Sequence, residues 1–320
     1  MQDLQWYPGH MTKARRMMEE NKKLVDLVIE ILDARIPLSS RNPDIDSLTK
    51  GKARIVILAK TDLADPAATK AFLSWFASQG VTPIAVDARQ KKSLDRIRDA
   101  VKSACREKME RDRRRGILNR PVRAMVLGIP NVGKSTLINS MAGRASAKTG
   151  NKPGVTKGKQ WICVTFRQGK EVLPVELLDT PGILWPKFED REVGVRLALC
   201  GSIREEILDE KELACSLISL LLADYPEAFN SRYGKEGEDF RNILEETVEG
   251  TGHTVVDQRE AALHRVLAKI AENRNFLSKG QTFDEGRAAH LLIDEFQGGK
   301  IGRITLDHVP ERDETKTEAE

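Results

Sequence analysis

Cysteine is scarce, with 4 in 320 residues. Cys105, Cys163, Cys200 and Cys215 lie far apart, without the paired spacing of a zinc site or a small disulfide scaffold, so they read as reduced thiols. Long apolar runs are also missing. Leu213 to Ala223 is too short to span a bilayer and fits a buried helix. The opening has no secretory pattern and the chain has no internal repeat, which argues against export and against a solenoid. A cytoplasmic protein with no membrane partner is the expectation. Nor is there a large excess of one charge. The net value of +4 does not by itself imply nucleic acid, and DNA is not expected as a partner.

What charge there is sits unevenly. Lys102, Arg106, Lys108, Arg111, Arg113, Arg114, Arg115 and Arg120 crowd one stretch, and Lys13, Arg15, Arg16, Lys22 and Lys23 another. Such runs suit either an RNA backbone or a solvated helix face. Glu311 to Glu320 is acidic and reads as a disordered tail.

Apolar β-branched runs at Val25–Leu32, Arg54–Leu58, Thr82–Val86 and Val122–Leu127 predict strands, joined by a strand pair at Trp161–Phe166 and Val172–Leu178. Helical spacing intervenes at Pro66–Gln79, Leu94–Arg115 and Ser135–Met141. Strands alternating with helices imply an α/β fold, a mostly parallel sheet covered on both faces. Beyond about Glu192 the periodicity turns helical, near 209–223, 238–248, 258–273 and 284–296, with a Gly-rich turn at 298–302 leading to a short strand. The predicted division is an N-terminal arm at 1–20, an α/β domain at 21–190, an α-helical domain at 191–308 and a tail at 309–320.

The chemistry is concentrated in short motifs. Gly-Ile-Pro-Asn-Val-Gly-Lys-Ser at 128–135, after a strand and before a helix, is a complete phosphate-binding loop. Backbone N–H groups from Asn131 to Thr136, Val132 and Gly133 among them, would face phosphate oxygens. Lys134 would reach the β- and γ-phosphates, and Ser135 would ligate Mg²⁺. Asp179-Thr180-Pro181-Gly182 ends a later strand, so Asp179 would hold Mg²⁺ and the Gly182 N–H would meet the γ-phosphate. Thr156 is the candidate switch threonine on the metal.

Base recognition falls to Lys60-Thr61-Asp62. The Asp62 carboxylate would accept from guanine N1–H and its exocyclic amine, while the Lys60 stem lies along the base. Ala59 stands where Asn or Thr is usual. The competing reading makes Asp62 a helix cap after a strand. Asp87-Ala88 is the candidate second base loop, contributing mainly backbone. This base box precedes the phosphate loop, the reverse of the Ras-type order.

Ile183 occupies the place of the glutamine that orients the attacking water, and isoleucine cannot polarise water. His10, in Trp6-Tyr7-Pro8-Gly9-His10-Met11, is the alternative catalytic group, against the reading of a surface histidine on a flexible arm. Asn131 suits a K⁺ ion between the phosphates, or merely stabilises the turn.

Together with Asp33-Ala34-Arg35-Ile36-Pro37, Ser39-Ser40-Arg41-Asn42-Pro43, Pro153-Gly154-Val155-Thr156 and Asp179 to Asp190, these motifs resemble the circularly permuted P-loop GTPases in which a hydrophobic residue replaces the catalytic glutamine. The resemblance runs well from Gln5 to Gly201 and more loosely over the helical part. It implies GTP binding and hydrolysis, with Mg²⁺ and K⁺ as cofactors and His10 needed for hydrolysis. It further implies a large ribosomal subunit precursor and its rRNA as partners, with turnover stimulated by the immature particle and RNA held by the helical domain. Rival expectations are a nucleotide-gated RNA-binding scaffold with negligible catalysis, an NTPase of relaxed base specificity, and a permuted GTPase acting on another RNA particle.

Overall fold

The structure, a computed structural model, describes residues 16, 18–117, 120–143, 160–180, 190–203, 209–245, 255–278 and 282–310. The chain divides into two compact units: an α/β unit of residues 7–186 with 305–320, and a helical unit of residues 187–304 with 1–6.

The α/β unit is built on a six-stranded sheet. Its strands are β1 (Leu27–Asp33), β2 (Ala53–Ala59), β3 (Thr82–Ala85), β4 (Val122–Leu127), β5 (Gln160–Gln168) and β6 (Glu171–Asp179), in the order β3-β2-β1-β4-β6-β5. All pairs are parallel except the β5–β6 hairpin at one edge. Every residue of β1 is buried, as expected of a central strand covered on both faces. Even Glu30 is buried there, and it pairs with Arg54 and Arg41.

Numbered from β4, the strands read 2-3-1-4-5-6 across the sheet, starting at β5. The spatial layout is that of an ordinary Ras-type sheet, and only the point where the chain enters it has moved. The chain leaves β1 toward β2 and leaves β4 toward β6. The β1/β4 boundary is thus the topological switch point, where open α/β sheets bind ligands beyond the carboxyl ends of their strands.

Helices α1 (Ile45–Thr49), α2 (Pro66–Ser78), α3 (Lys91–Ala104), α4 (Arg106–Arg114) and α5 (Lys134–Ala142) belong to this unit. Asp65 caps α2 by accepting from the N–H groups of Ala67 (2.6 Å) and Ala68 (3.1 Å), and Pro66 supplies the preset φ of the first turn. Phe72 and Phe76 then bury against Leu32, Val56, Leu58 and Ala64. The single helix expected over 94–115 is in fact two, because Cys105, buried and with φ −104° and ψ 12°, steps out of helical geometry between them.

The helical unit contains α6 (Arg191–Leu199), α7 (Glu210–Asp224), α8 (Pro226–Tyr233), α9 (Phe240–Glu245), α10 (Val255–Asn273) and α11 (Glu285–Gln297). Helix α7 packs against α10 and α11 through an apolar face that includes Leu213, Leu217 and Leu221. The run suspected of being too short for a membrane is thus a core helix, and among the described residues no helix is long and apolar enough to cross one. Glu295 ties α11 to α8 by accepting from the Arg232 guanidinium and the Tyr233 hydroxyl (3.0 Å).

The expected boundary at 308 shifts to Ile304, and the short strand expected after the Gly-rich turn is absent. The reason lies in Thr305, Leu306 and Asp307, which hydrogen-bond to Ala34, Arg35, Leu38, Ser39 and Asp65 of the α/β unit. The tail at 311–320 lies outside the described residues.

Candidate active site

The phosphate loop fills the interval between β4 and α5, at the switch point. Gly128 (φ +158°) crosses so close to β1 that a Cβ there would lie 2.6 Å from the Ile31 carbonyl oxygen. Asn131 (φ +57°) and Gly133 (φ +102°) take positive φ, which curls the loop and leaves its N–H groups at the N-terminus of α5. Val132 is buried beneath the loop, Ser135 is half-buried and Thr136 is exposed.

Lys134 is buried, and its Nζ donates to the carbonyls of Gly128 (2.9 Å) and Ile129 (2.7 Å). Burial pushes its amine down to about 8, and the nearby Asp179 carboxylate opposes that shift only in part. Asp179 sits at the end of β6 in register with Val126 of β4, and it is buried beside the loop. Thr180 anchors the turn that follows, its hydroxyl donating to the Val126 carbonyl at 2.6 Å.

The candidate base box lies one strand beyond β1. Lys60 (φ +57°) directly follows β2, and its Nζ donates to Asp33 Oδ2 at 2.9 Å. Asp33 also receives both arms of the Arg35 guanidinium, at 3.0 and 2.8 Å. Burial alone would raise the Asp33 carboxyl, but the charges of Arg35 and Lys60 hold it well below the usual carboxylate range. Sequence reasoning assigned Lys60 to the base and left Asp33 without a role, so this buried triad was missed. Its signal was an acid ending a buried strand with an arginine two residues on.

Thr61 and Asp62 are half-buried in the turn after Lys60. Asp65, not Asp62, caps the next helix, so the capping alternative for Asp62 falls. The Asp62 carboxylate pairs with the exposed Arg89 guanidinium, which also bonds Asp87 (3.2 Å). Burial works to raise the Asp87 carboxyl, but hydrogen bonds from Arg89 and Gln90 bring it below its ordinary value. Ala88 offers its carbonyl to the Ser140 hydroxyl of α5 at 3.0 Å, which ties the candidate second base loop to the helix that follows the phosphate loop. Arg89, adjacent to the predicted pair, is the other residue that sequence reasoning passed over.

One end of the sheet therefore gathers Lys60, Thr61, Asp62, Asp87, Ala88, the 128–136 loop and Asp179. His10, Thr156, Gly182 and Ile183 lie outside the described residues.

Residues 123–258 match a family model described as 50S ribosome-binding GTPase. Ribosome biogenesis GTPase A of Bacillus cereus is 42% identical over 304 residues, spanning 95% of this chain and 93% of that protein. The chain belongs to the ribosome biogenesis GTPase A family. This GTPase is also similar to mitochondrial ribosome-associated GTPase 1 of Ictalurus punctatus, at 33% identity over 94% of the chain and 92% of that protein. Among solved structures, GNP-bound YlqF from T. maritima aligns with a TM-score of 0.56 at 26% identity, covering 92% of this chain and 98% of that one. The GTPase is circularly permuted: β1, β2 and β3 precede the phosphate loop in the chain, yet in the sheet they continue outward from β4, the strand that leads into it.

Proposed function

We propose that this GTPase is an assembly factor of the large ribosomal subunit, that the immature particle stimulates its hydrolysis of GTP, and that its nucleotide state governs how the helical unit binds rRNA. The supporting observation is the 42% identity to a relative named for ribosome biogenesis, which extends across 95% of the chain and so includes the helical unit. The family model's 50S description points to the large subunit.

In this reading the N–H groups of Asn131 to Thr136 hold the β- and γ-phosphates, and Lys134 meets them with its amine. Lys60, Thr61 and Asp62 hold guanine, with Asp87 and Ala88 closing the far side. The Ser135 hydroxyl and the Asp179 carboxylate are hard oxygen donors at the phosphate loop, a set that fits Mg²⁺ completed by phosphate oxygens and water. The ion supplies neutralisation of charge on the phosphates. Thr156 would join this set and the Gly182 N–H would sense the γ-phosphate. Asn131 would hold K⁺, and a neutral His10 would orient the attacking water in place of the glutamine that Ile183 displaces. The chain then runs from Asp179 into the helical unit, which offers a covalent route from γ-phosphate to RNA.

Multiple-turnover GTP hydrolysis, with and without immature large subunits, tests the core claim. Stimulation is expected, and equal rates overturn it. His10→Ala should abolish stimulated turnover while GDP affinity survives. Exchanging K⁺ for Na⁺ should slow hydrolysis. Co-sedimentation with subunits should differ between GDP and a non-hydrolysable GTP analogue.

A further inference from the structure

The residues after the helical unit return to the α/β unit and seat themselves between the loops that follow β1 and β2. The Thr305 hydroxyl donates to the Ala34 carbonyl at 3.2 Å and accepts from the Asp65 N–H at 3.2 Å. Leu306 N–H donates to the Arg35 carbonyl at 2.7 Å. Asp307 Oδ2 accepts from the N–H groups of Leu38 (2.7 Å) and Ser39 (2.8 Å), and its Oδ1 from the Ser39 hydroxyl (2.6 Å). Thr305, Leu306 and Asp307 are all buried, and Val309 packs on the apolar cluster of Leu32, Leu58, Ala64 and Phe72.

These partners flank the base box on both sides. Ala34 and Arg35 directly follow Asp33, whose carboxylate holds the Lys60 amine. Asp65 is three residues past Asp62 and caps the helix that leaves the turn. One hydroxyl therefore bridges the loop that holds Lys60 to the loop that carries Asp62. A buried carboxylate with three donors fixes that bridge's far end, and charge-assisted hydrogen bonds of this kind are the strong ones.

We propose that Thr305 and Asp307 are positioning residues for guanine recognition: the segment after the helical unit is the clip that aligns the Asp62 carboxylate with the base. Neither residue touches nucleotide in this scheme. They act by fixing the spacing of the two loops, so their loss weakens the contacts made to the edge of the base more than those made to phosphate. The inference rests on the proposed base box at 60–62.

The test measures dissociation constants of GDP, inosine diphosphate and xanthosine diphosphate for the full chain. Inosine lacks the exocyclic amine that Asp62 would accept from. Xanthine carries a carbonyl in its place, which an amide can donate to. Asp62→Asn should therefore shift preference from GDP to xanthosine diphosphate. Thr305→Val combined with Asp307→Asn should lower the GDP-over-inosine preference by about tenfold or more, the size of one charge-assisted hydrogen bond misplaced. Thr305→Ser, which keeps the hydroxyl, should keep the preference that the single variant Thr305→Val loses. A merely structural clip would lower the melting temperature and weaken all three nucleotides alike. An unchanged GDP-over-inosine ratio in the clip variants, with Asp62→Asn shifting preference as expected, overturns the proposal alone. No shift in Asp62→Asn overturns the base box and the clip with it. If the double variant does not fold, the comparison of Thr305→Val with Thr305→Ser decides.

Discussion

Replacing Gly128 by alanine is the most direct test of how the phosphate loop is seated. The new Cβ would stand 2.6 Å from the Ile31 carbonyl oxygen and 3.1 Å from Val132 Cγ1. Neither neighbour can swing aside. Ile31 is buried central-strand backbone paired with Ile57 of β2, and Val132 is fully buried. The loop and β1 must separate by several tenths of an ångström, at an overpacking cost of about 1–3 kcal/mol. Forcing a side chain onto φ +158° adds roughly 1–3 kcal/mol. Together these give about 4 kcal/mol, a fall in melting temperature on the order of 10 °C for a unit of this size. Gly133→Ala is the matched comparison. It also has positive φ (+102°), but nothing lies within 4 Å of its added Cβ. Without nucleotide it should lose only about 1–2 kcal/mol, from strain alone. Thermal unfolding of both variants, without nucleotide, checks the difference. Equal losses, or a Gly128→Ala protein within about 2 °C of the parent, would refute the claim that close approach to β1 seats the loop.

Other consequences are open to measurement. Burial holds the Lys134 amine near 8, whereas a polyphosphate beside it favours the charged form, so GDP binding should take up a proton above that pH. Calorimetry in buffers of different ionisation enthalpy should show that uptake, with affinity falling as pH rises; no uptake would refute it. The same depression means that the unfolded chain binds more protons than the folded one between about pH 8 and 10.4, so the protein alone should gain stability as pH rises through that window. Asp33→Ala leaves the buried Arg35 and the Lys60 amine without their carboxylate, and should cost about 3–5 kcal/mol in denaturant unfolding. Because the Asp33 carboxyl is held below its ordinary value, its stabilisation should be full above about pH 4 and be lost only as pH falls further. Glu295→Ala strands Arg232 and the Tyr233 hydroxyl between α8 and α11, and should cost about 2 kcal/mol; a loss under about 0.5 kcal/mol would show the network to be solvent-compensated.

The parts legible in the sequence were those where chemistry dictates spacing or where periodicity is local. The phosphate loop needs glycines, a lysine and a hydroxyl at set positions, so it could be read without knowing the fold. Central strands announce themselves as unbroken apolar runs, although Glu30 within β1 breaks the rule because Arg54 and Arg41 reach it from neighbouring segments. Helices α6 and α8 were overlooked for local reasons. The first carries Gly194 within its span, and the second is only 8 residues long and begins at Pro226, with Tyr225 alone separating it from α7. The contacts of Asp307 were beyond any local pattern, since Ser39 lies 268 residues away. The Lys60–Asp33 bond was hidden for the same reason at shorter range, because only strand pairing brings the ends of β1 and β2 side by side.

The permutation also explains a stretch that composition left ambiguous. In the unpermuted order a chain would finish with the helix here called α3, which covers β3 and β2, and would start at β4. Joining those ends means travelling sideways from the β3 edge to the sheet's centre. The shift from β3 to β4 is three strand positions, roughly 14 Å. Helix α4, with 9 residues, spans about 13.5 Å. Its Lys108 is held at the amino ends of β1 and β4, within 3.3 Å of Asp26 and 3.4 Å of the Pro121 carbonyl. Asp112 turns inward beside it, accepting from the Ile117 N–H through its carbonyl at 2.9 Å, which steers the chain toward β4. The basic run is therefore first of all the splice that closes the rearranged sheet, with Arg111, Arg113 and Arg114 left on its outer face. That splice lies at the opposite end of the strands from the phosphate loop. β4 alone is 6 residues long, or about 20 Å, beyond the screening length of about 8 Å at physiological salt. Whatever those arginines meet, their charge does not reach the nucleotide, so any coupling between the two ends must be carried by the sheet and the loops at its carboxyl edge.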